Sequence, residues 1–332
     1  MFKKEKWGIS MKKLSSLSAV LVLSVGLMAG CGDSSKEENA STSKGNEPTA
    51  TQAFPVTIKD AAGEEVTIEK EPKKIVSLIP SNTEIVFELG AGDNVVGVSD
   101  NDNYPKEVEK IEKIGGMEMN TEKVIAMEPD LVLAHASNAH NGSEGIKQLK
   151  EVGIPVLVVN DSQNFEQVYE SIEMIGQATG ENEAAEELVQ DMQEDLKEIE
   201  EKAKAVTEQD RKKVLIEVSP APEIYSPGKN TFMNEMLQII GADNVAGDLE
   251  GWAKIDEESM IAANPDVIVT TYGYYTEDPV AQVKSRNGWE DVTAIKQEQI
   301  YDVHSDLVTR SGPRLVEGVE ELAEAIYPEI FN

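Results

Sequence analysis

At 332 residues the chain is too long for one compact core and long enough for two domains of roughly 120 to 150 residues each. Its 62 acidic and 30 basic side chains leave a net charge of −32, which repels nucleic acid and anionic membrane surfaces and excludes them as partners of the folded body. A single cysteine, Cys31, excludes an internal disulfide framework and any multi-cysteine metal site. The surplus acid is spread along the chain and reads as a solvated surface.

The amino terminus reads as an address. Lys12 and Lys13 precede an apolar run from Leu14 to Leu27, and the small residues Ala29 and Gly30 stand just before Cys31. The run is too short and wrongly flanked for a spanning helix and fits a signal peptide over residues 1–30. Met11 is a second candidate start. Leu27-Met28-Ala29-Gly30-Cys31 resembles a bacterial lipobox, which implies acylation of the Cys31 thiol. Residues 31–55 are rich in Ser, Thr, Asn, Glu and Lys and predict a flexible, lipidated tether. Removing residues 1–30 takes away five lysines and one glutamate, so the body left behind is more acidic still.

From Val56 onward, short β-branched runs alternate with helical patterns, the signature of an α/β protein with parallel sheets. Strands are predicted at 74–78, 95–98, 131–134, 156–159, 214–218, 267–270 and 299–303, in two sets that imply two lobes. The segment from Glu122 to Leu133 recurs from Glu258 to Val269, each time reading as a helix stopped by Pro and feeding a buried strand. Leu89-Gly90-Ala91 likewise recurs as Ile240-Gly241-Ala242, ending a helix with glycine. The two repeats align when an insertion near 219–230 is allowed in the second. Between the lobes, residues 183–206 place Ala185, Leu188, Met192, Leu196, Ile199, Ala203 and Val206 at spacings of three and four, without Gly or Pro. That predicts one long helix crossing from lobe to lobe. The expected architecture is two related lobes, 56–180 and 209–332, joined by a backbone helix at 181–208, with a ligand cleft between them.

Motifs for catalysis are missing: there is no GxSxG, P-loop, GxGxxG after a strand, HExxH or cysteine nucleophile. His135 and His304 fall at the carboxyl ends of predicted strands, where α/β folds place ligands, and with His140 they leave a metal-ion receptor open as a reading. A chelatase-like enzyme would need a cleft histidine and glutamate, and the secretion signal argues against it. Asp100 to Tyr104, the tyrosines 272, 274 and 275, and Ser305 to Arg310 also follow strands and gather on one edge, which suits a large ligand.

Lys74 to Glu84 with its Pro80-Ser81-Asn82, Gly97-Val98-Ser99 leading to Asn103-Tyr104-Pro105, the Glu122 to Leu133 block, and Ser305-Asp306 with Arg310-Ser311-Gly312-Pro313-Arg314 together resemble the helical-backbone (class III) substrate-binding lipoproteins of ABC importers. The nearest pattern is the cobalamin-binding branch, and ferric siderophore and haem binders share the fold. The resemblance implies a binding protein rather than an enzyme, anchored at Cys31 to the outer face of a bacterial cell membrane. It would bind a bulky chelate, act as a monomer, need no cofactor of its own, and have as partner a permease dimer with its cytoplasmic ATPase. It implies that Tyr104 and Trp252 stack on the ligand, that Asp306 and Arg310 clamp its polar groups, that Pro80, Ser81 and Asn82 face it, and that Tyr225 lines the cleft. It also implies that Glu122 and Glu258, matched in the two repeats, dock on the permease subunits. Near Gly116 to Glu118 and at His135 the chain lacks tryptophans of the cobalamin-binding pattern.

Overall fold

The computed structural model describes residues 54–332 except 117 and 138–142. The expected signal peptide, Cys31 and all but the last two residues of the tether lie outside them, as does His140. Residues Ala50–Asn332 form one compact unit. An antiparallel hairpin, β1 (Val56–Lys59) and β2 (Glu65–Ile68), precedes the first α/β layer. That layer contains β3 (Ile75–Ser77), α1 (Pro80–Glu88), β4 (Val95–Val98), β5 (Glu112–Lys113), α2 (Thr121–Met127), β6 (Leu131–His135), α3 (Ser143–Glu151), β7 (Val156–Val159) and α4 (Phe165–Thr179). The long α5 (Asn182–Ala203) follows. The second layer contains β8 (Lys213–Glu217), β9 (Tyr225–Pro227), α6 (Phe232–Ile239), β10 (Asp243–Asn244), β11 (Trp252–Lys254), α7 (Glu257–Ala263), β12 (Val267–Thr270), α8 (Pro279–Lys284), α9 (Thr293–Lys296), β13 (Ile300–Asp302), α10 (Ser305–Thr309), α11 (Leu315–Ile326) and α12 (Pro328–Phe331).

Two parallel sheets result, in the orders β5-β4-β3-β6-β7 and β10-β8-β12-β13. All seven strands expected from the sequence are present, within one or two residues at their ends. The hairpin strands β1 and β2 were not expected, nor were β5, β9, β10 and β11, whose two or three residues carry too little periodicity to register. The insertion expected near 219–230 supplies β9, which pairs antiparallel with β11 beside the second sheet.

The repeat holds at the level of single hydrogen bonds. Asn120 caps α2 by accepting from the Lys123 amide at 3.0 Å, and Asp256 caps α7 by accepting from the Ser259 amide at 2.9 Å. Glu128 (φ 51°) and Asn264 (φ 51°) end the two helices in the left-handed region, each just before a proline. The Asp130 and Asp266 amides donate to the Lys74 and Lys213 carbonyls, both at 2.8 Å. Their carboxylates accept from the Lys73 and Lys74 amides in one lobe and from the Lys213 amide in the other. Gly90 (φ 84°) and Gly241 (φ 74°) make the same left-handed turn after α1 and α6, a conformation that costs glycine little and other residues more.

Each central strand alternates between two cores, as a sheet covered on both faces requires. Ile75, Leu131 and Leu133 join Val214, Ile216, Val267 and Val269 in one large core. Val76, Val132 and Ala134 face a small core of the first lobe, and Leu215 and Ile268 face a small core around Trp289 in the second.

The large core is continuous through α5. Its Ala185, Val189, Met192 and Ile199 belong to the same cluster as Val168 and Ile172 of α4 and Leu315, Val319 and Leu322 of α11. The helix ends at Ala203, earlier than the periodicity suggested. Turn bonds from Ala205 to Lys202 and from Val206 to Ala203 close it, and Val206 still packs on the core. Close packing of α4 on α5 depends on Gly176, where a Cβ would sit 2.5 Å from that of Ala185. Because Ile199 is 2% exposed inside the shared core, Ile199→Ala should cost about 2 to 5 kcal/mol in denaturant unfolding while the transition remains single.

Candidate functional site

The carboxyl ends of the strands place their following segments around one cavity of about 720 Å³. The first lobe contributes Pro80, which opens α1, and Asn101 and Asn103 from the loop after β4. The second contributes Tyr274 after β12, Asp302 to His304 at the end of β13, Ser305, Asp306, Thr309 and Arg310 of the α10 segment, and Glu321 of α11.

A polar network bridges the lobes at this cavity. Arg310 donates to Glu84 Oε1 and to Asn103 Oδ1, both at 2.8 Å, and pairs with Asp306 Oδ1 at 2.9 Å. Asn103 Nδ2 donates to Asp306 Oδ2 at 2.8 Å. Arg314 forks onto Glu84, with Nε 2.9 Å from Oε2 and Nη2 2.8 Å from Oε1. The Arg314 guanidinium also lies 3.9 Å from the Tyr104 ring centre. Glu84 is 1% exposed, and such a carboxylate is tolerable in a folded protein only because two guanidinium groups meet it. Nearby acids feel the crowding: burial, then the charge of Glu84, raises the Glu88 carboxyl above its ordinary range. Burial and Glu88 likewise raise the Tyr104 phenol.

The structure therefore brings Pro80, Asp306 and Arg310 to one cavity and sets Tyr104 beside it through Arg314. Ser81 and Asn82 are buried in α1, and Asn82 Nδ2 donates to the Ala134 carbonyl at 3.0 Å, tying the helix to the end of β6. Trp252 and Tyr225 lie on the β9–β11 ribbon, where Trp252 meets Phe232 edge to face at 5.7 Å. Both keep more than a third of their surface exposed, and neither lines the cavity. Asn101 and Asn103 fall within the Asp100 to Tyr104 segment expected on this edge, whereas Glu84 and Arg314 were not recognised as charge partners. Tyr274 and Tyr275 stand out as an exposed pair, T-shaped at 4.7 Å, with Tyr274 on the cavity rim.

A second buried charge network closes the end of β8. Glu217 accepts two bonds from Arg286, at 2.5 and 2.7 Å, and one from the Tyr272 hydroxyl at 2.9 Å. Burial and the Glu217 charge push the Tyr272 phenol well above its usual range. This network fixes the root of the loop that carries Tyr274.

The two described histidines, His135 and His304, join no common site. His135 is buried at the end of β6, with Nδ1 2.8 Å from Ser137 Oγ, and burial lowers its pKa despite the nearby Asp161. His304 is exposed at the start of α10, its backbone amide bonded to Glu321. Among the described residues no group of three or more His, Cys, Asp and Glu side chains could hold a metal ion. Glu122 and Glu258 are both exposed in the first turns of the equivalent helices α2 and α7.

Asn82→Ala should cut the side-chain tie between α1 and the end of β6 and lower stability by about 0.5 to 1.5 kcal/mol in denaturant unfolding.

Known proteins resemble the chain throughout this body. The model of the periplasmic binding protein family matches residues 75–307. An uncharacterized ABC transporter substrate-binding lipoprotein of Bacillus subtilis (strain 168), YvrC, is 53% identical over 97% of this chain and all of its own. A cobalamin-binding protein of Halobacterium salinarum is 30% identical over 83% of this chain and 75% of its own. The crystal structure of a possible iron-binding (periplasmic solute-binding) protein from Staphylococcus epidermidis ATCC 12228 superposes with a TM-score of 0.70 at 38% identity, over 78% of this chain and all of the other. With its paired parallel sheets, strut helix and cavity at the strand ends, the chain belongs to the periplasmic binding protein family, a family of substrate-binding proteins and not of enzymes.

Proposed function

We propose that this protein is the lipid-anchored, extracytoplasmic receptor of an ABC importer, capturing cobalamin or a related corrinoid in the interlobe cavity and delivering it to a permease. The observation that carries this reading is the cavity itself. It is open, lies between the lobes at the strand ends, and combines Asp306 and Arg310 with the rim aromatic Tyr274. Such a lining can hold the edge of a large ring against an aromatic face while charged groups orient its polar substituents. The transporter role is supported by the Bacillus relative and the corrinoid by the Halobacterium one. Anchoring at Cys31 rests on the lipobox-like sequence and the lipoprotein relative.

Glu122 and Glu258 suit docking on a permease dimer. They are exposed, occupy equivalent positions in two repeats, and would offer one carboxylate per permease subunit. A ferric chelate is the second reading, favoured by the Staphylococcus structure described as possibly iron-binding.

Calorimetric titration of the Ala50–Asn332 body with cyanocobalamin should give saturable one-to-one binding. Arg310→Ala should weaken it at least about tenfold through loss of charge-assisted bonds, and Tyr274→Ala by about threefold to tenfold through loss of a stacking face. Heat with a ferric hydroxamate, a ferric catecholate or haem, but none with cyanocobalamin, would move the ligand to the chelate branch. No binding of any of the four would contradict the proposal. In transport assays, Glu122→Arg and Glu258→Arg should abolish uptake while leaving ligand affinity unchanged.

A further inference from the structure

We propose that Glu84, which need not touch ligand, is the positioning residue of the cleft, holding the ligand-facing groups of both lobes in one arrangement before ligand arrives. The inference rests on the interlobe cavity being the ligand site. Glu84 belongs to α1 of the first lobe, yet both of its arginine partners belong to the second.

Through Arg310 it fixes the polar face of the cavity. That guanidinium also holds Asn103 from the opposite wall and Asp306 on its own helix, and Asn103 and Asp306 bond each other. Through Arg314 it fixes an aromatic. The fork onto Glu84 sets the guanidinium plane on which the Tyr104 ring rests, and Tyr104 stands otherwise exposed in the first lobe. One carboxylate therefore determines where a charged group, an amide and a ring stand.

The geometry matches the chemistry of the two residue types. A carboxylate offers four lone-pair directions in one plane, enough to receive an end-on contact from Arg310 and a two-point fork from Arg314 together. Glutamine keeps the shape of Glu84 but replaces one oxygen with a donor, so it turns N–H toward N–H at one of these contacts. Without the carboxylate, Arg310 retains Asp306 and Asn103 but loses its tie to α1, and Arg314 loses the partner that sets its plane. Preorganisation of this kind lowers the ordering cost of binding.

The test has a ligand-free arm and a binding arm, both on the Ala50–Asn332 body. In the ligand-free protein, Glu84→Gln should speed hydrogen exchange in peptides covering residues 99–104 and 305–314, while β6 and β12 keep wild-type protection. Should Glu84→Gln fail to fold, Arg310→Lys and Arg314→Lys break the same contacts from the second lobe and should speed exchange in the same peptides. In the binding arm, with cyanocobalamin or haem as probe, Glu84→Gln should weaken binding about tenfold or more. In an Arg310→Ala background the further loss should be much smaller, because both changes remove one coupled arrangement. Wild-type exchange in both peptides, or an effect on affinity that is fully additive with Arg310→Ala, would overturn the proposal. A wild-type protein that binds neither probe would count against the ligand assignment, and the exchange arm would still decide the role of Glu84.

Discussion

The molecule depends on one apolar core that does not stop at the boundary between its halves. α5 carries Ala185, Val189, Met192 and Ile199 into a cluster that takes in strands of both sheets. Burial of that surface stabilises each half and also fixes how the two face each other, since neither half can rotate without exposing the strut's apolar stripe. A helix of 22 residues is about 33 Å long at 1.5 Å per residue and resists bending, so the spacing between lobes is set by packing rather than by a flexible hinge.

The cleft is built on that fixed frame and follows the opposite logic. Where the core is apolar and continuous, the cleft is crossed by charged groups that must satisfy one another. Two buried carboxylates, Glu84 at the lobe boundary and Glu217 at the end of β8, are each matched by arginine. Taking these ions from water is costly, and the pairing offsets the cost only because the geometry is good. Solvent still reaches the cavity itself, with Tyr274 exposed on its rim and Asp306 and Arg310 on its wall. A ligand entering this frame is expected to exchange polar contacts across a cleft of nearly constant width.

Much of this was legible in the sequence, and the limits have physical causes. The strands at 95–98, 156–159 and 267–270 were readable to the residue because short runs rich in Val and Ile begin directly after Asn94, Pro155 and Asp266, which leaves little choice. The repeat was readable because the Pro that ends each helix, and the Asp after it, perform the same backbone task twice. Asp306, Arg310 and Pro80 were found by resemblance and do share a cavity. Glu84 and Arg314 were quoted within matching motifs but not recognised as partners, since 230 residues separate them and no local periodicity reports a long-range ion pair. Asn82 was taken as a ligand contact because its neighbours carry the motif, whereas its amide is occupied in holding the end of β6. Trp252 and Tyr225 sit on a ribbon formed by an insertion, where linear spacing says little about direction.

With the strut held by the shared core, the lobes should keep their spacing when ligand enters. Spin labels at Glu107→Cys and Glu277→Cys, exposed positions on the first and second lobes, with Cys31→Ser to remove the native thiol, would report that spacing by pulsed electron resonance. Overlapping distance distributions are expected with and without saturating ligand. A separate, clearly shorter population appearing only with ligand would show hinge closure and contradict this expectation.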